Sequence, residues 1–391
     1  MTAPLDPIAG AATLRTPAGG ATAAAAPGTS APAVGLPSSA TAPITGARQS
    51  ARVAVLGASG YSGQEFARLA LAHPGLSLAV LASREHAGRP AVELLPGLDP
   101  RAVALPTVAD AKALAEMLAN DVFDTLVCCL PHGAWKAIAA EHPLLSAKPA
   151  RVIDLSSDFR DGGAPAGGGP DYAYGLPEAF RTVLAGAARI ANPGCYPTAA
   201  TLALLPAAES GWIEEPVMVS ALSGVSGAGR SPALKTSFVE LEGGASIYKA
   251  GTEHQHVAEM ERNLERLTGA PVAVGFAPQL APMSRGILLT ANARLTRPVS
   301  PEEVRAAYLA RYGGEPFVRV LEAGAWPETR AVKASNRCDV AVTTLHGGRT
   351  LLATAALDNL VKGAAGQAIQ NLNLMLGWPE SWGLPVHGSP W

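Results

Sequence analysis

The feature that most constrains the fold is a glycine-rich turn that follows the first strand-like segment. Residues 52–56 (RVAVL) form an apolar run typical of a buried strand. Residues 57–63 (GASGYSG) come directly after it, and a helical pattern continues from Ser62 to the Pro74-Gly75 pair. Glycines let a backbone approach a pyrophosphate, and the N-terminus of a helix attracts anions. The turn therefore predicts a dinucleotide site, although its G-x-x-G-x-x-G spacing departs from G-x-G-x-x-G.

Strands and helices alternate through the first half of the sequence. The later ranges that have the pattern of strands are 76–81, 122–130 and 152–155. A helix is predicted from Gly133 to about Ala140, and Ser62 with Glu65 has the spacing of a capping box at the start of the first helix. This alternation predicts an α/β fold with a doubly wound, Rossmann-type parallel sheet.

The pattern changes after a Gly/Pro-rich connection at residues 161–177. The strand-like ranges that follow are 217–220, 272–276, 286–295, 317–321, 340–345 and 350–357. They predict an α+β domain with a mixed sheet. Residues 359–376 carry apolar side chains on one stripe and predict a final amphipathic helix. Because 391 residues exceed what one hydrophobic core usually holds, two domains are expected.

Composition argues against several classes of partner. The 30 Lys and Arg residues nearly balance the 32 Asp and Glu residues, so neither nucleic acid nor an anionic membrane is expected as the main partner. No apolar stretch reaches the roughly 18 residues of a membrane span. The four cysteines include no C-x-x-C pair, which indicates a reducing compartment, the cytoplasm, and argues against a cysteine metal site.

Residues 1–50 consist mostly of Ala, Pro, Gly, Thr and Ser, and their charges are Asp6, Arg15 and Arg48. Such a segment buries too little apolar surface to fold, so we expect a disordered tail. A transit peptide is the alternative because the segment is poor in acidic residues. Its few arginines and the absence of an amphipathic helical pattern argue against that alternative.

The end of the second strand distinguishes between two cofactors. An NAD site places Asp or Glu there to bind the ribose 2′-hydroxyl, whereas Ser83 and Arg84 occupy the position in this chain. A hydroxyl and a guanidinium suit a 2′-phosphate, so NADP(H) is predicted. A solvated surface charge is the alternative interpretation of Arg84.

Cys195 is the candidate nucleophile. It stands in residues 192–198 (NPGCYPT), a tight turn that precedes an Ala/Leu-rich helix. The N-terminus of a helix stabilises the thiolate, which is the reactive form of a cysteine. Cys128, Cys129 and Cys338 lie in or beside apolar strands and are expected to pack as small hydrophobic residues.

A proton shuttle is expected from His254 or His256, which lie just before a polar helix. Residues at i and i+2 do not share a helix face, so the pair is not expected to bind a metal. One histidine serves catalysis while the other packs or caps, and the residues alone leave the choice open. His132 follows a strand and is expected beside the cofactor crevice.

Two further segments suit anionic ligands. Residues 223–231 (SGVSGAGRS) offer Ser223, Arg230 and exposed amides, which is the composition of a phosphate cradle; a flexible loop is the alternative. Arg285 precedes an apolar strand, where it either clamps a substrate carboxylate or forms an ion pair at the domain interface.

Together these motifs resemble the N-acetyl-gamma-glutamyl-phosphate reductase family over residues 51–386. The motifs that carry the resemblance are GASGYSG at 57–63, LPHG at 130–133, DFR at 158–160, YGLPE at 174–178, PGCYPT at 193–198, SGAGR at 226–230, HQH at 254–256 and DNLVKG at 358–363. Ala258 is a departure, since the family often has Pro before the following Glu.

The resemblance implies NADPH-dependent reduction of an acyl phosphate to an aldehyde in arginine biosynthesis. The reaction would pass through a thioester on Cys195, with His254 as the acid/base group. A small-molecule acyl phosphate is the expected substrate, and the enzyme is expected to be a homo-oligomer, either a dimer or a tetramer.

The resemblance also implies the site and the domains. The residues expected to contact NADP(H) are Gly57, Ser59, Gly60, Tyr61, Ser62, Gly63, Ser83, Arg84, Pro131, Ser226, Gly227 and Asn359. The residues expected to contact the substrate are Ser223, Arg230, His256 and Arg285. Because Asn359 would lie near the nicotinamide, the Rossmann domain at 51–190 is expected to be completed by 357–391. Residues 191–356 would form a catalytic and dimerisation domain.

Other functions remain open at this point. An aspartate-semialdehyde dehydrogenase has the same two-domain plan and the same thioester chemistry. A non-catalytic NADP-binding sensor would keep the fold without the reaction. A Cys-His acyl transferase is disfavoured, because it leaves the dinucleotide turn unexplained.

Overall fold

The structure is a computed structural model that describes residues 50–97, 107–164 and 169–389. The predicted disordered tail lies outside these residues except for its last position. The strands are β1 (Ala51–Leu56), β2 (Leu76–Ala82), β3 (Thr125–Cys128), β4 (Arg151–Asp154), β5 (Ala173–Tyr174), β6 (Arg189–Ala191), β7 (Ile213–Ser223), β8 (Ser246–Ile247), β9 (Val274–Leu280), β10 (Ile287–Leu295), β11 (Val318–Val320), β12 (Cys338–Leu345) and β13 (Thr350–Leu357).

The helices include one π-helical turn at Val361–Ala365. The α-helices are α1 (Tyr61–Ala72), α2 (Ala111–Ala119), α3 (Ala134–Glu141), α4 (Pro143–Ala147), α5 (Pro177–Ala185), α6 (Cys195–Glu209), α7 (Phe238–Leu241), α8 (His256–Thr268), α9 (Pro301–Tyr312), α10 (Thr329–Val332) and α11 (Gly366–Met375). No helix of the described residues is both long and apolar enough to cross a bilayer.

The first sheet is parallel and has the strand order β2-β1-β3-β4-β6-β5. Alternate residues of β1 enter different cores, because successive side chains of a strand point to opposite faces. Val53 and Val55 pack with α1 and α11, whereas Ala54 and Leu56 pack with α2 and α3. The prediction of a doubly wound Rossmann-type sheet is therefore confirmed.

The second sheet is mixed and has the order β11-β12-β13-β10-β7-β9-β8. Its central strand β10 pairs antiparallel with β13 and β7, and β7 pairs parallel with β9. Helices α6, α8 and α9 pack in the core that this sheet forms. The predicted mixed sheet is confirmed, although β7 and β9 are longer than their apolar patterns indicated, and the short strands β5, β6 and β8 were not predicted.

Helix α6 is the central element of the second core, since all but two of its residues are buried. It contains Pro206, which has no amide hydrogen and leaves the carbonyl of Leu202 without its helical donor. The hydroxyl of Tyr312 on α9 donates to that carbonyl at 2.6 Å. Tyr308 donates likewise to the carbonyl of Ala203 at 2.6 Å. Two tyrosines of one helix thus complete the backbone hydrogen bonding of another.

The final segment differs from the amphipathic helix that the sequence predicts. The π-helical turn precedes α11, and α11 is buried on almost every side. Its polar side chains are also buried and take hydrogen bonds within the protein: Asn371 donates to the carbonyl of Gly175 and Gln367 to the hydroxyl of Thr198. The apolar stripe packs in a core, as an amphipathic helix requires. The polar face, however, contacts other segments of the chain instead of water.

The capping box predicted for α1 is wrong. The helix starts at Tyr61, and Gly60 is its N-cap. Glu65 does not turn back to the cap, because its carboxylate pairs with Arg68 and with Arg285.

Replacement of Leu202 by Ala tests the central role of α6. Leu202 is fully buried in the second core, so Leu202→Ala is expected to lower the free energy of unfolding by about 2–5 kcal/mol. Leu309→Ala, at an exposed position of α9, is the control and is expected to cost less than about 0.5 kcal/mol. Urea unfolding followed by circular dichroism measures both; equal losses would contradict this view of the core.

Candidate active site

The glycine turn after β1 is shaped by close backbone contacts. Gly57 has φ of 87°, and a Cβ there would lie 2.3 Å from the carbonyl oxygen of Cys129. A Cβ on Gly63 would lie 2.4 Å from the carbonyl oxygen of Gly57. The amides of Gly57 and Ala58 both donate to the carbonyl of Ala82 at the end of β2. The turn therefore has this cradle shape only with glycine at positions 57 and 63.

This cradle fits the pyrophosphate of a dinucleotide. Gly60, which carries no side chain, is the N-cap of α1. The first amides of a helix have no acceptor within the helix, and the positive end of its dipole favours an anion there. The amides of Tyr61, Ser62 and Gly63 therefore point their hydrogens towards the space where phosphates bind in this type of turn.

The end of β2 presents hydroxyls beside the turn. The buried hydroxyl of Ser83 donates to the hydroxyl of Ser59 at 3.0 Å and lies 3.4 Å from Nδ1 of His86. Arg84 is exposed at the same end of the strand. Ser59, Ser83 and Arg84 were predicted from the sequence, whereas His86 was not. Its place in a turn does not indicate that its ring lies beside the hydroxyl of Ser83.

The turn before α6 places Cys195 at the first position of the helix, with Gly194 as the N-cap. The amide of Gly194 donates to Oε1 of Glu259 at 2.9 Å. A Cβ on Gly194 would lie 2.5 Å from Nε2 of His256 and 2.9 Å from Nη1 of Arg160. His256 and Arg160 therefore pack against Gly194, the residue directly before the cysteine, and the ring of Tyr196, directly after it, lies 5.8 Å from the ring of His256.

Arg160 and Glu259 form a buried ion pair under this turn. Nη1 of Arg160 contacts Oε2 of Glu259 at 2.9 Å, and both side chains are only 4% exposed. Arg160 also donates to the carbonyls of Asn192 and Leu155, and the hydroxyl of Tyr174 donates to Glu259. Arg160 belongs to the DFR motif at 158–160, but no role was predicted for it, because no spacing rule connects it to Glu259.

His254 and His256 lie next to each other, with ring centroids 4.8 Å apart. The backbone amide of His256 donates to Nδ1 of His254 at 3.1 Å, so the neutral ring of His254 carries its proton on Nε2. Tyr196, Tyr248 and Phe276 surround His254 with their ring edges and faces.

Both histidines are held in the neutral form at neutral pH. Burial, with the charges of Lys249 and His132, lowers the pKa of His254 to about 4. Burial and the charge of Arg160 lower the pKa of His256 well below its usual value. A neutral imidazole can accept a proton from a thiol, which is the first requirement of a general base.

The environment of Cys195 differs from the sequence prediction in one respect. The cysteine lies at a helix N-terminus as predicted, but burial raises the pKa of its thiol to about 11, although Arg160 and the amides of the first turn lower it. The helix end does not outweigh the loss of solvation, so the thiol is protonated at neutral pH. Burial also raises the pKa values of Cys128, Cys129 and Cys338.

The segment after β7 meets the start of the C-terminal segment. Nδ2 of Asn359 donates to the hydroxyl of Ser226 at 3.0 Å, and its Oδ1 accepts from the amide of Gly286 at 2.7 Å. A Cβ on Gly227 would lie 3.1 Å from the hydroxyl of Ser223. The structure thus brings these four predicted site residues, Ser223, Ser226, Gly227 and Asn359, into one cluster.

The two predicted anion-binding arginines already have partners within the protein. Nη1 of Arg230 donates to the carbonyl of Ser59 at 2.9 Å, which connects the loop after β7 to the glycine turn. Arg285 contacts Asp358 at 3.0 Å and Glu65 at 3.1 Å, which is the interface ion pair given as its alternative. Both arginines line a cavity of about 700 Å³ beside α1. Their contact with substrate stays a prediction.

Pro131 and His132 follow β3 at the same edge of the first sheet. Nδ1 of His132 accepts from the amide of Ser157 at 3.0 Å, and its Nε2 lies 2.6 Å from Nε2 of Gln255. Gln255 stands between the two histidines of the site, so His132 links the nucleotide sheet to the histidine segment. The contact between Gln255 and His132 was not predicted, because a single glutamine in the sequence does not indicate which distant residue it will contact.

Two family models match the chain. The semialdehyde dehydrogenase NAD binding domain matches residues 52–187, and the semialdehyde dehydrogenase dimerisation domain matches residues 195–359.

Curated relatives match almost all of the chain beyond the tail. The N-acetyl-gamma-glutamyl-phosphate reductase of Acidothermus cellulolyticus is 44% identical over 351 residues, covering 86% of this chain and 98% of the relative. The enzymes of the same name from Micrococcus luteus and Mycobacterium avium are each 43% identical, with the same coverage.

Solved structures show the same fold. Aspartate semialdehyde dehydrogenase II of Vibrio cholerae superposes with a TM-score of 0.65 at 17% identity, covering 84% of this chain and 99% of that chain. The aspartate semialdehyde dehydrogenase of Candida albicans with NADP gives a TM-score of 0.59 at 16% identity, covering 84% and 98%.

The pKa of Cys195 predicts how alkylation depends on pH. Because only the thiolate reacts, the rate of modification of Cys195 by iodoacetamide in the free protein is expected to be slow at pH 7 and to rise continuously to about pH 11. Mass spectrometry of peptides measures the rate, with the fully buried Cys338 as the internal control. A rate that levels off below pH 8 would show that the thiolate is stabilised more than burial allows.

Proposed function

Because the chain belongs to the N-acetyl-gamma-glutamyl-phosphate reductase family, we propose that Cys195 and the histidines beside it carry out the reaction of that family. The chain reduces N-acetyl-L-glutamyl 5-phosphate with NADPH, releases phosphate and forms N-acetyl-L-glutamate 5-semialdehyde, a step of arginine biosynthesis. The observation that carries the residue assignment is that Cys195 starts α6 between Gly194, which packs against His256, and Tyr196, whose ring contacts both His254 and His256.

The first step forms a thioester on Cys195. The thiol is protonated at neutral pH, so its proton passes to a neutral imidazole while Sγ attacks the acyl carbonyl carbon. The C–O bond to the phosphoryl group then breaks and phosphate leaves with the electron pair. Backbone amides at the start of α6 point towards the developing oxyanion, which they stabilise as donors.

The second step reduces the thioester. NADPH supplies a hydride to the carbonyl carbon when it is bound. The imidazolium formed in the first step gives its proton to the carbonyl oxygen, and we assign this role to His254, the acid/base group that the family resemblance implies. The imidazole then takes the hydroxyl proton of the resulting thiohemiacetal on Cys195, the C–S bond breaks and releases the aldehyde, and the proton passes to the sulfur to regenerate the thiol.

The cofactor residues follow from the fit of the glycine cradle. Gly57, Gly60 and Gly63 make room for the pyrophosphate, and the amides at the start of α1 bind it. Ser83 and Arg84 would bind the 2′-phosphate. The cluster of Ser226, Gly227 and Asn359 would hold the nicotinamide, and Pro131 would line the crevice after β3.

We also propose the division of the chain into domains. The strands of the first sheet all end by Ala191, and α11 packs against α1 and α5 of that half. This supports a Rossmann domain of 51–190 completed by 357–391, with the catalytic and dimerisation domain at 191–356.

We propose that the protein is a cytoplasmic homo-oligomer, a dimer or a tetramer. Support comes from the match of residues 195–359 to a dimerisation domain. Exposed apolar side chains of that region would be covered by a second copy: Met218, Leu234, Phe238, Val239 and Ile247.

The reaction can be tested in the reverse direction. N-acetylglutamate semialdehyde, phosphate and NADP are expected to give reduced cofactor, whereas aspartate semialdehyde is expected to give little. Cys195→Ser should lower kcat by on the order of 10³-fold or more, because a hydroxyl is a far weaker nucleophile, and should leave NADPH binding intact in a fluorescence titration. Turnover that survives in Cys195→Ser would refute the thioester scheme.

The role of Arg84 predicts a change in cofactor preference. Arg84→Gln removes a charge-assisted hydrogen bond of about 1.5–3 kcal/mol, so the KM for NADPH is expected to rise roughly tenfold or more while the KM for NADH stays constant. Arg89→Gln is the matched control, because Arg89 lies in the same turn and pairs with Glu93. If both variants raise the KM for NADPH equally, Arg84 is only part of a positive surface.

A further inference from the structure

The π-helical turn at Val361–Ala365 is the unusual element of the C-terminal segment. The amides of Gly363 and Ala365 donate to carbonyls five residues earlier, those of Asp358 at 2.9 Å and Leu360 at 2.8 Å. A π-helical turn is rare and frequently occurs at functional sites. In this protein it lies between β13, which ends in the second sheet, and α11, which packs in the first core.

The π-helical turn packs directly against Cys195. A Cβ on Gly363 would lie 2.8 Å from Cβ of Cys195 and 3.3 Å from its Cα. Because side chains do not approach so closely, only glycine lets the turn touch the first residue of α6. The position of the turn therefore sets the position of the Cα and Cβ atoms of Cys195.

A fully buried ion pair holds the turn. Nζ of Lys362 contacts Oε1 of Glu178 at 2.6 Å, with both side chains 0% exposed, and Oε1 of Gln370 at 2.8 Å. Burial raises the pKa of Glu178, but the charge and hydrogen bond of Lys362 outweigh burial and keep that pKa below its usual value. Burying two charges costs solvation that apolar residues would not lose, so such a pair is weak evidence for stability and invites another explanation.

The same segment holds the cysteine turn from both sides. Nδ2 of Asn192, before Cys195, donates to the carbonyl of Ala364 at 3.3 Å. Nε2 of Gln367 donates to the hydroxyl of Thr198, after Cys195, at 3.0 Å. The residues before and after Cys195 therefore both contact residues 364–367, which come just after Lys362.

We propose that Lys362 and Glu178 are positioning residues for the nucleophile, because their buried ion pair holds the π-helical turn so that Gly363 fixes Cys195 for attack on the acyl phosphate. This inference rests on the proposed function, since it takes Cys195 as the nucleophile. Lys362 and Glu178 act through Gly363 and do not contact the substrate themselves.

Neutral variants of the pair test the proposal. Lys362→Gln and Glu178→Gln are each expected to lower kcat by about tenfold or more, since small misplacements of reacting groups cost this much or more. The KM for the semialdehyde and the affinity for NADPH should stay within about twofold, because the binding residues are unchanged. The rate of Cys195 alkylation at pH 9 should fall with kcat. The double variant, which restores a neutral hydrogen-bonded pair, should recover part of both rates.

Two more variants separate positioning from stability. Arg181→Gln, on the same helix as Glu178, breaks ion pairs with Glu315 and Glu380; it should lower the Tm without slowing the alkylation of Cys195. Gly363→Ala keeps the ion pair and places its Cβ closest to Cys195, with Leu357 Cδ1 as the next contact at 3.3 Å, so it should lower kcat even if Lys362→Gln does not fold.

The outcomes distinguish this inference from the proposed function. Unchanged kcat and alkylation in folded Lys362→Gln, or in Gly363→Ala, would overturn the positioning role, and so would an equal loss in Arg181→Gln. If the protein without substitutions keeps full activity after Cys195 has been alkylated, Cys195 is not the nucleophile, whatever the Lys362 variants show.

Discussion

The ion pair between Arg160 and Glu259 is the interaction on which the site depends. It joins a loop of the nucleotide-binding half to α8 of the other half, at a place from which water is excluded. Glu259 accepts from the amide of Gly194 and lies one helical turn after His256. A single carboxylate therefore sets the turn before Cys195 and the helix that begins at His256 relative to each other. The guanidinium that balances it is satisfied at each of its nitrogens by a bond to the protein.

Much of the fold follows from local pattern. The strand–turn–helix start, the parallel sheet, the mixed sheet and the position of Cys195 at a helix start were predicted correctly, because each depends on the periodicity and turn chemistry of a short segment. The capping box failed because Glu65 is used by Arg285, which is distant in the sequence. The last helix was predicted to be amphipathic, but its polar side chains are buried too, and nothing local shows that other segments of the chain cover them.

The site was harder to predict than the fold. Residue types and motifs were enough to predict Cys195, His254 and Asn359 as site residues. They did not predict the side chains that hold these residues in place. Arg160 with Glu259 and Lys362 with Glu178 are joined only in the folded protein, and their spacing carries no pattern. The ionisation of Cys195 also depends on burial: the helix end favours the thiolate and the loss of water opposes it more strongly. In the proposed reaction the proton of this thiol therefore passes to an imidazole that burial keeps neutral.

Pro206 has a mechanical consequence for the helix that begins at Cys195. Because Tyr312 donates to the carbonyl of Leu202 that Pro206 leaves free, the middle of α6 is bound to a different helix by a short directional bond. A helix held this way cannot slide along its own axis or turn about it without breaking that bond. The position of Cys195 along the axis of α6 is thus fixed about two helical turns away, by a hydrogen bond within the second core.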